Sequence, residues 1–426
     1  MKILWLNLAE TGAARIFCML SGTIVVLLTA RILGPERQGT LSAAIAWVTL
    51  FANSAGLSLG QVIHYRIQLE KNKDWFPGIF GGLIFFVLVL SALAYITVFG
   101  IYHATRGILF KNISPVLLVF AFSLLPMIIW EQYSSNLLAA VGKLRKYNTA
   151  QYVGRGFWVL FTFIFLVTLN WGIKGAIFAQ VVGQAILLLI GSVALFKFSP
   201  KKLEVQKEEI KEMLKGSAKL HFNTISTILL SQTSILMLNH FAEKAQVGWF
   251  QLAYQMVVMM LIIPQAASIV LFSRLSEIGP DRLWQEQKKF ICYVLGIVIL
   301  LSIIAYFIAP IIIPLAVGPE FLPTVKVFRL LLPMILGMSL AQLMTSQWIG
   351  RGVLFQTTLA TTFGAAVNIC ANLILIPKYG MYGAVWASLL SYLGIAVFVQ
   401  SCFALWCEKK YRHSLKLKNN KLLESF

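Results

Sequence analysis

The sequence predicts an all-α integral membrane protein of twelve transmembrane helices in two six-helix lobes. Three observations predict it. The chain of 426 residues is 58% hydrophobic and 12% charged, where soluble domains carry about 25% charged residues. Twelve apolar runs approach the roughly 20 residues that a helix needs to cross a bilayer. And short motifs recur at a near-constant offset, as two like halves require.

The runs cover 14–33, 39–60, 77–101, 113–138, 149–169, 173–196, 220–240, 247–272, 290–313, 326–348, 354–376 and 381–405. The tenth is the least regular, since it opens on Lys326 and Arg329 and contains Pro333. With the N-terminus inside, the odd-to-even and even-to-odd connections differ sharply in charge. Segments on the inner side hold 27 of the 36 lysines and arginines and the outer turns hold 9. This bias places both termini in the cytoplasm. The outer turns are short, which argues against a polymerase or glycosyltransferase with a large external catalytic loop.

Composition excludes other classes. No Gly-x-x-x-x-Gly-Lys-Ser/Thr loop is present, so ATP hydrolysis is not expected to drive the protein. The two aspartates, Asp74 and Asp281, lie in different loops, so no carboxylate pair is available for metal-assisted sugar transfer. Cys18, Cys292, Cys370, Cys402 and Cys407 form no C-x-x-C pair and read as small hydrophobes. The net charge of +20 reflects basic inner loops rather than nucleic-acid binding, because no soluble basic domain with interleaved aromatics exists. The N-terminal apolar run ends in Leu-Gly-Pro-Glu, not in a small-residue cleavage site, so it reads as a span and not as a signal peptide.

The organising stretch is Leu27–Ala44, LLTARILGPERQGTLSAA. Gly34-Pro35 interrupts a helix, since proline lacks an N–H and restricts its predecessor. The stretch therefore reads as a short reversal between the first two spans. The same residues, ARILGPERQG, together with AYQ, Pro264 and FSRLSEIG between Phe250 and Gly279, resemble the multidrug/oligosaccharidyl-lipid/polysaccharide exporter superfamily in its polysaccharide, O-antigen repeat-unit flippase branch. The resemblance runs from about residue 8 to about residue 405. It implies a V-shaped pair of lobes around a central cavity and alternating access in an inner membrane. The implied cargo is an oligosaccharide on a polyprenyl pyrophosphate. Other polysaccharide-assembly proteins are implied partners, membrane lipid is the surrounding one, and no resident cofactor is expected beyond coupling to H⁺ or Na⁺. The seventh-to-eighth turn departs from the pattern: His240-Phe-Ala-Glu-Lys-Ala has neither Gly nor Pro and is expected to be looser.

The halves are legible in repeats. Gly172–Ala179, GIKGAIFA, matches Gly380–Ala387, GMYGAVWA, and Gly39 matches Gly248. Six spans per half give both halves the same orientation, the parallel arrangement in which substrate binds between them. The chain therefore divides into a lobe at 1–200, a linker at 201–219, a second lobe at 220–405 and a basic tail at 406–426. Leu203, Ile210, Met213 and Leu214 share one face of the linker, and Glu204–Lys207, Glu208–Lys211 and Glu212–Lys215 lie opposite, as in a helix resting on the inner membrane surface. The tail is expected to be disordered and drawn to anionic lipid.

Ionisable groups inside spans are costly and face a bundle interior or water. Of the acidic residues only Glu131 lies within a span, in the fourth, and Arg155 lies at similar depth in the fifth. They read either as a structural ion pair or as part of a transport site. Arg15 opens the first span and His221 the seventh, at matching places in the two halves; both are cavity candidates. Arg329 carries the same candidacy beside the tenth span. Arg31 reads as a residue snorkelling to head groups. A diphosphate suits arginine's planar fork. Sugars suit amides and aromatic rings, and Asn53, Gln132, Tyr133, Asn136, Gln151 and Trp158 supply them. A cation-coupled drug or metabolite antiporter is the alternative, with Glu131 as the carboxylate it would need.

Overall fold

The structure, a computed structural model, describes residues 2–63, 76–198 and 207–423. Leu203 and Glu204 of the predicted linker, and most of the inner connection 61–76, fall outside them. The described residues form helices and turns, without strands.

The first lobe contains α1 (Lys2–Ala55), α2 (Phe76–Ala104), α3 (Pro115–Phe122), α4 (Leu125–Ala140), α5 (Leu144–Phe163) and α6 (Gly172–Phe198). The second contains α7 (Lys207–Phe241), α8 (Lys244–Met259), α9 (Ile262–Val317), α10 (Leu322–Leu331), α11 (Met334–Gly350), α12 (Leu354–Tyr379), α13 (Met381–Leu389) and α14 (Ala396–Leu423). A π-helical turn extends α5 through Thr168, and another, Leu390–Ile395, joins α13 to α14.

Two of these helices are each kinked at a glycine. In α1 the break is Gly34, at φ 72° and ψ 173°, followed by Pro35. In α9 it is Gly279, at φ 72° and ψ 169°, followed by Pro280. Positive φ at both breaks suits glycine, which has no Cβ to clash. The helix thus breaks at the predicted Gly34-Pro35, and Gly279-Pro280 repeats the same backbone geometry.

Among the described residues, nine helical stretches are long and apolar enough to cross a membrane, and the pair Pro319–Leu331 and Met334–Gly350, bent by 52°, makes a tenth if it counts as one span. The bend falls at Pro333, where the sequence already looked irregular. The reading of twelve counts the arms of α1 separately and adds α7. Helix α7 has the length, 35 residues. It falls below the others in hydropathy because Asn223, Thr224, Ser226, Thr227, Ser231, Gln232, Thr233 and Ser234 crowd its centre. Such a helix is tolerable in a membrane when its polar groups face protein or water. Here α7 packs against α1, α8, α12 and α13.

Three local expectations change. The predicted linker from Lys207 onward is not a separate surface helix; it continues into the seventh span as α7, with Met213 buried and Gly216 against Val62. The seventh-to-eighth turn is tight, only Ala242 and Glu243 separating α7 from α8, because the Ala242 N–H closes on the Leu238 carbonyl at 2.9 Å and Glu243 is extended. The tail is helical through Leu423, in place of the expected disorder. Its base is tied down: Glu408 accepts from Trp284 Nε1 at 2.9 Å, Lys288 at 2.7 Å and Arg412 at 3.0 Å.

The lobes meet where the second arm of α1 crosses α8. A methyl group on Gly39 would lie 2.0 Å from the Lys244 carbonyl oxygen, and one on Gly248 would lie 2.1 Å from the Pro35 carbonyl oxygen. Each glycine therefore packs on the carbonyl four residues before the other, as a two-fold relation between the halves demands. On the same Gly34 end, Arg31 donates to the Leu315 and Ala316 carbonyls at 2.8 and 3.0 Å. Asn112 donates to the Asn239 carbonyl at 3.0 Å and Asn239 to the Lys111 carbonyl at 2.7 Å. At the Gly279 end the lobes touch through Ser58, whose hydroxyl donates to Thr224 Oγ1 at 2.8 Å.

Candidate functional site

Glu131 stands at the centre of a polar network inside the first lobe. It projects from α4 toward α5 and α6. Arg155 Nη2 lies 3.2 Å from its Oε1, Gln151 Nε2 donates to the same oxygen at 2.9 Å, and Gln184 Nε2 donates to Oε2 at 2.5 Å. Tyr147, Gln151 and Arg155 follow at i, i+4 and i+8, so one face of α5 carries all three. Gln151 Nε2 also reaches the Tyr147 hydroxyl at 2.6 Å, and the Cys18 thiol of α1 donates to Gln151 Oε1 at 3.3 Å. The Arg155 guanidinium lies 5.5 Å from the Trp158 ring centre. The ion pair is enclosed but reachable, with side-chain exposures of 22% and 18%. Both carboxylate oxygens are engaged, and the charge is neutralised within the lobe.

Asn53 and Gln132 form a second cluster, Gln132 lying about 100° around α4 from Glu131. Gln132 Nε2 donates to Asn53 Oδ1 at 3.1 Å, and Asn53 Nδ2 donates to the Thr49 carbonyl at 2.7 Å. Beside them the buried Tyr133 hydroxyl donates to the Gly56 carbonyl at 2.7 Å. This holds the end of the second span, where Leu57 and Ser58 take positive φ of 47° and 53°. Consecutive left-handed residues with side chains are costly, roughly 1–2 kcal/mol each. The break places Ser58 against α7, 3.4 Å from His221 Nδ1. His221 also meets the Ser54 backbone, so it sits at a contact between lobes.

Arg15 occupies a third setting. Glu10, Thr11, Ala14 and Cys18 turn toward α5; Glu10 lies 3.6 Å from Arg145, and Thr11 accepts from Asn148 at 3.4 Å. Ile16, Leu20 and Ile24 form an exposed apolar face. Gly12 lies against Ile269 of α9. At 3.6 residues per turn, Arg15, Met19 and Gly22 fall between the α5 face and the second-lobe face, away from the apolar one. Arg15 is exposed there, a Cβ on Gly22 would meet nothing within 4 Å, and Arg15 makes no hydrogen bond or ion pair among the described residues.

Arg329 lies apart. It donates to the Tyr306 carbonyl at 2.9 Å and stacks 4.3 Å over the Tyr306 ring, beside an apolar groove of Ile299, Ile303 and Phe307. A pocket of about 540 Å³ between the lobes is apolar, with Thr23 and Leu27 on one side and Met256, Met259 and Met260 on the other. None of the seven predicted residues lines it. The structure thus gathers Asn53, Glu131, Gln132 and Arg155 around α4, puts Arg15 and His221 beside the second lobe, and leaves Arg329 separate.

Sequence reasoning missed the partners Tyr147 and Gln184. The i, i+4, i+8 spacing on α5 was available for Tyr147; nothing local marks Gln184 beyond an amide in an apolar run. Also missed was a buried cluster in the second lobe. Asn372 donates to Ser234 at 3.0 Å and to Asn368 at 2.8 Å, and Asn368 donates to the Ala387 carbonyl at 3.4 Å. These bonds tie α7, α12 and α13 together as polar glue does in membranes.

Solved structures with this arrangement are transporters and a flippase. The chain is 15% identical to the lipid II flippase MurJ in an inward closed conformation, covering 97% of this chain and 92% of that one, with a TM-score of 0.74. It is 16% identical to an inward-facing multidrug resistance MATE family transporter of the MOP superfamily, covering 93% and 96%, with a TM-score of 0.73. It is 18% identical to a MOP superfamily transporter from Pyrococcus furiosus, covering 95% of each chain, with a TM-score of 0.68. Curated proteins give no significant match. The family model described as polysaccharide biosynthesis protein matches residues 4–279. That match takes in nearly all of the first lobe and runs to the Gly279 break; covering more than half of the sequence, it places the chain in the polysaccharide biosynthesis protein family.

Proposed function

We propose that the protein is a flippase that carries polyprenyl-pyrophosphate-linked oligosaccharide repeat units across the cytoplasmic membrane, with both termini in the cytoplasm. The observation that carries the reading is a charge imbalance inside the membrane. Glu131 is engaged by Arg155, Gln151 and Gln184, while Arg15 is exposed beside the second lobe with no acidic partner among the described residues. Among the described residues, Arg15 is thus left without an acidic partner while both oxygens of Glu131 are engaged. That suits a diphosphate, through bidentate charge-assisted bonds, and disfavours a cationic drug.

An unaided head group would lose every water partner in hydrocarbon. Between the lobes, Arg15 would take the diphosphate, and amide and hydroxyl groups would take the sugars. The tail, being apolar, stays in lipid. The lobes then rock about the Gly39–Gly248 contact. The Glu131 network is the place where H⁺ or Na⁺ would couple, because releasing Arg155 from Glu131 exposes both charges.

The deciding experiment reconstitutes the purified protein in proteoliposomes and follows two cargoes. One is a fluorescent polyprenyl-pyrophosphate oligosaccharide and the other is an organic cation such as ethidium. Movement of the glycolipid without the cation is the expected result. Cation movement that depends on Glu131, with a stationary glycolipid, establishes the antiporter instead.

A further inference from the structure

Helix α12 has two unlike faces. Phe355, Leu359 and Phe363 are 69%, 49% and 62% exposed and form the outward apolar stripe. Thr357, Thr361 and Gly364, at i, i+4 and i+7, face the other way and line a cleft of about 370 Å³ inside the second lobe. Helices α7, α11 and α14 and the π-helical turn supply the remaining walls, with Thr227, Gln342, Thr345 and Tyr392 among the lining. The volume falls in the range of small-molecule sites, about 300–1,000 Å³. The lining contains no charged side chain.

The chemistry of this lining is specific. A threonine hydroxyl has one hydrogen to donate and two lone pairs. Thr227, Thr345, Thr357 and Thr361 each donate that hydrogen to the carbonyl four residues back, at 2.9, 3.0, 3.3 and 3.0 Å. What they turn to the cleft is acceptor capacity. Gln342 adds an amide whose side chain makes no hydrogen bond among the described residues, and so offers both a donor and an acceptor. Trp348 is a fixed apolar wall: it stacks on Phe403 with ring centres 3.5 Å apart, and its Nε1 is held by Gln400 at 2.9 Å. The π-helical turn at Leu390–Ile395 sets Ser391 and Tyr392 into the same cleft, and such turns are frequent at functional sites.

An uncharged wall rich in acceptors repels phosphate and carboxylate oxygens. It accepts from groups that carry many hydroxyl donors. We propose that this cleft seats uncharged sugar residues of the transported glycan, apart from the cationic region that takes the diphosphate. The proposal rests on the flippase reading and adds a specificity: neutral sugars are held in the second lobe, and acidic ones are not.

The test uses the full-length protein in nanodiscs and titration calorimetry with two probes, polyprenyl pyrophosphate alone and the same lipid bearing one N-acetylglucosamine. The expected result is tighter binding of the sugar-bearing probe. Gln342→Leu and Thr361→Val each reduce that advantage by about threefold to tenfold, the loss of one hydrogen bond, without changing affinity for the bare lipid. Thr361→Ser retains it. Should Thr361→Val lower the melting temperature, Thr345→Val replaces it. Equal affinity of the wild type for the two probes, or an advantage that survives the variants, overturns the proposal. If neither lipid binds, the flippase reading fails by itself, and a free neutral trisaccharide then judges the cleft. Binding that is lost in Gln342→Leu supports it, and absence of such binding overturns it.

Discussion

Gly39 and Gly248 hold equivalent places in the two halves, and each lies against the carbonyl four residues before the other. A side chain at either position meets backbone rather than a movable group. Gly39→Ala and Gly248→Ala are each expected to force α1 and α8 apart, at a cost of about 1–3 kcal/mol, typical of overpacking. Thermal melting of the purified variants reads the loss. Unchanged melting in both would mean that the helices can separate freely.

Glu131 and Arg155 form an enclosed pair, so removing one partner strands the other. A fully buried pair loses about 3–5 kcal/mol on such truncation; with roughly a fifth of each side chain exposed, the expected cost here is about half that. Glu131→Gln and Arg155→Gln should each destabilise, and the double variant should be less unstable than the two effects added. A double-mutant cycle in denaturant checks this. Full rescue of export by the exchanged pair, Glu131→Arg with Arg155→Glu, would make the pair purely structural.

Arg15→Ala is expected to abolish surface polysaccharide while leaving the protein at normal levels in the membrane. Arg15→Lys should restore only part, because an ammonium lacks the planar fork. Immunoblotting of membranes together with staining of surface polysaccharide makes the measurement. Wild-type polysaccharide in Arg15→Ala removes Arg15 from the site.

Arg351 joins three elements at the Gly279 end: it pairs with Asp281 at 2.9 Å, donates to Gln347 Oε1 at 2.9 Å and lies 5.6 Å from the Trp406 ring centre. Its loss should free the base of α14. Arg351→Ala is therefore expected to speed amide exchange around Trp406–Arg412 by at least about tenfold, with little change in α2. Hydrogen-exchange mass spectrometry gives the comparison, and equal exchange in both proteins would show that Glu408 alone anchors the helix.

Much of this architecture was legible because membranes impose long apolar runs and because the repeat survives as spaced glycines. Gly34-Pro35 announced its break, and Pro333 its bend. The Glu131–Arg155 pair was legible from depth alone: both sit a similar distance from one shared connection. What escaped was tertiary. Gln184 reaches Glu131 from a distant helix, and no spacing rule links residues 53 positions apart. The seventh-to-eighth turn was misread since a missing Gly-Pro suggested looseness, whereas an extended Glu243 does the same work. The linker was misread because its amphipathic pattern hid its continuity with the following span.

That continuity makes α7 a lever. Thirty-five residues at about 1.5 Å each make a rod of roughly 50 Å. A tilt of the second lobe by about 10° would then sweep the far end of this rod through roughly 9 Å. A dye attached near Lys207 would register such a tilt as a displacement of several ångströms, on the order of the sweep itself.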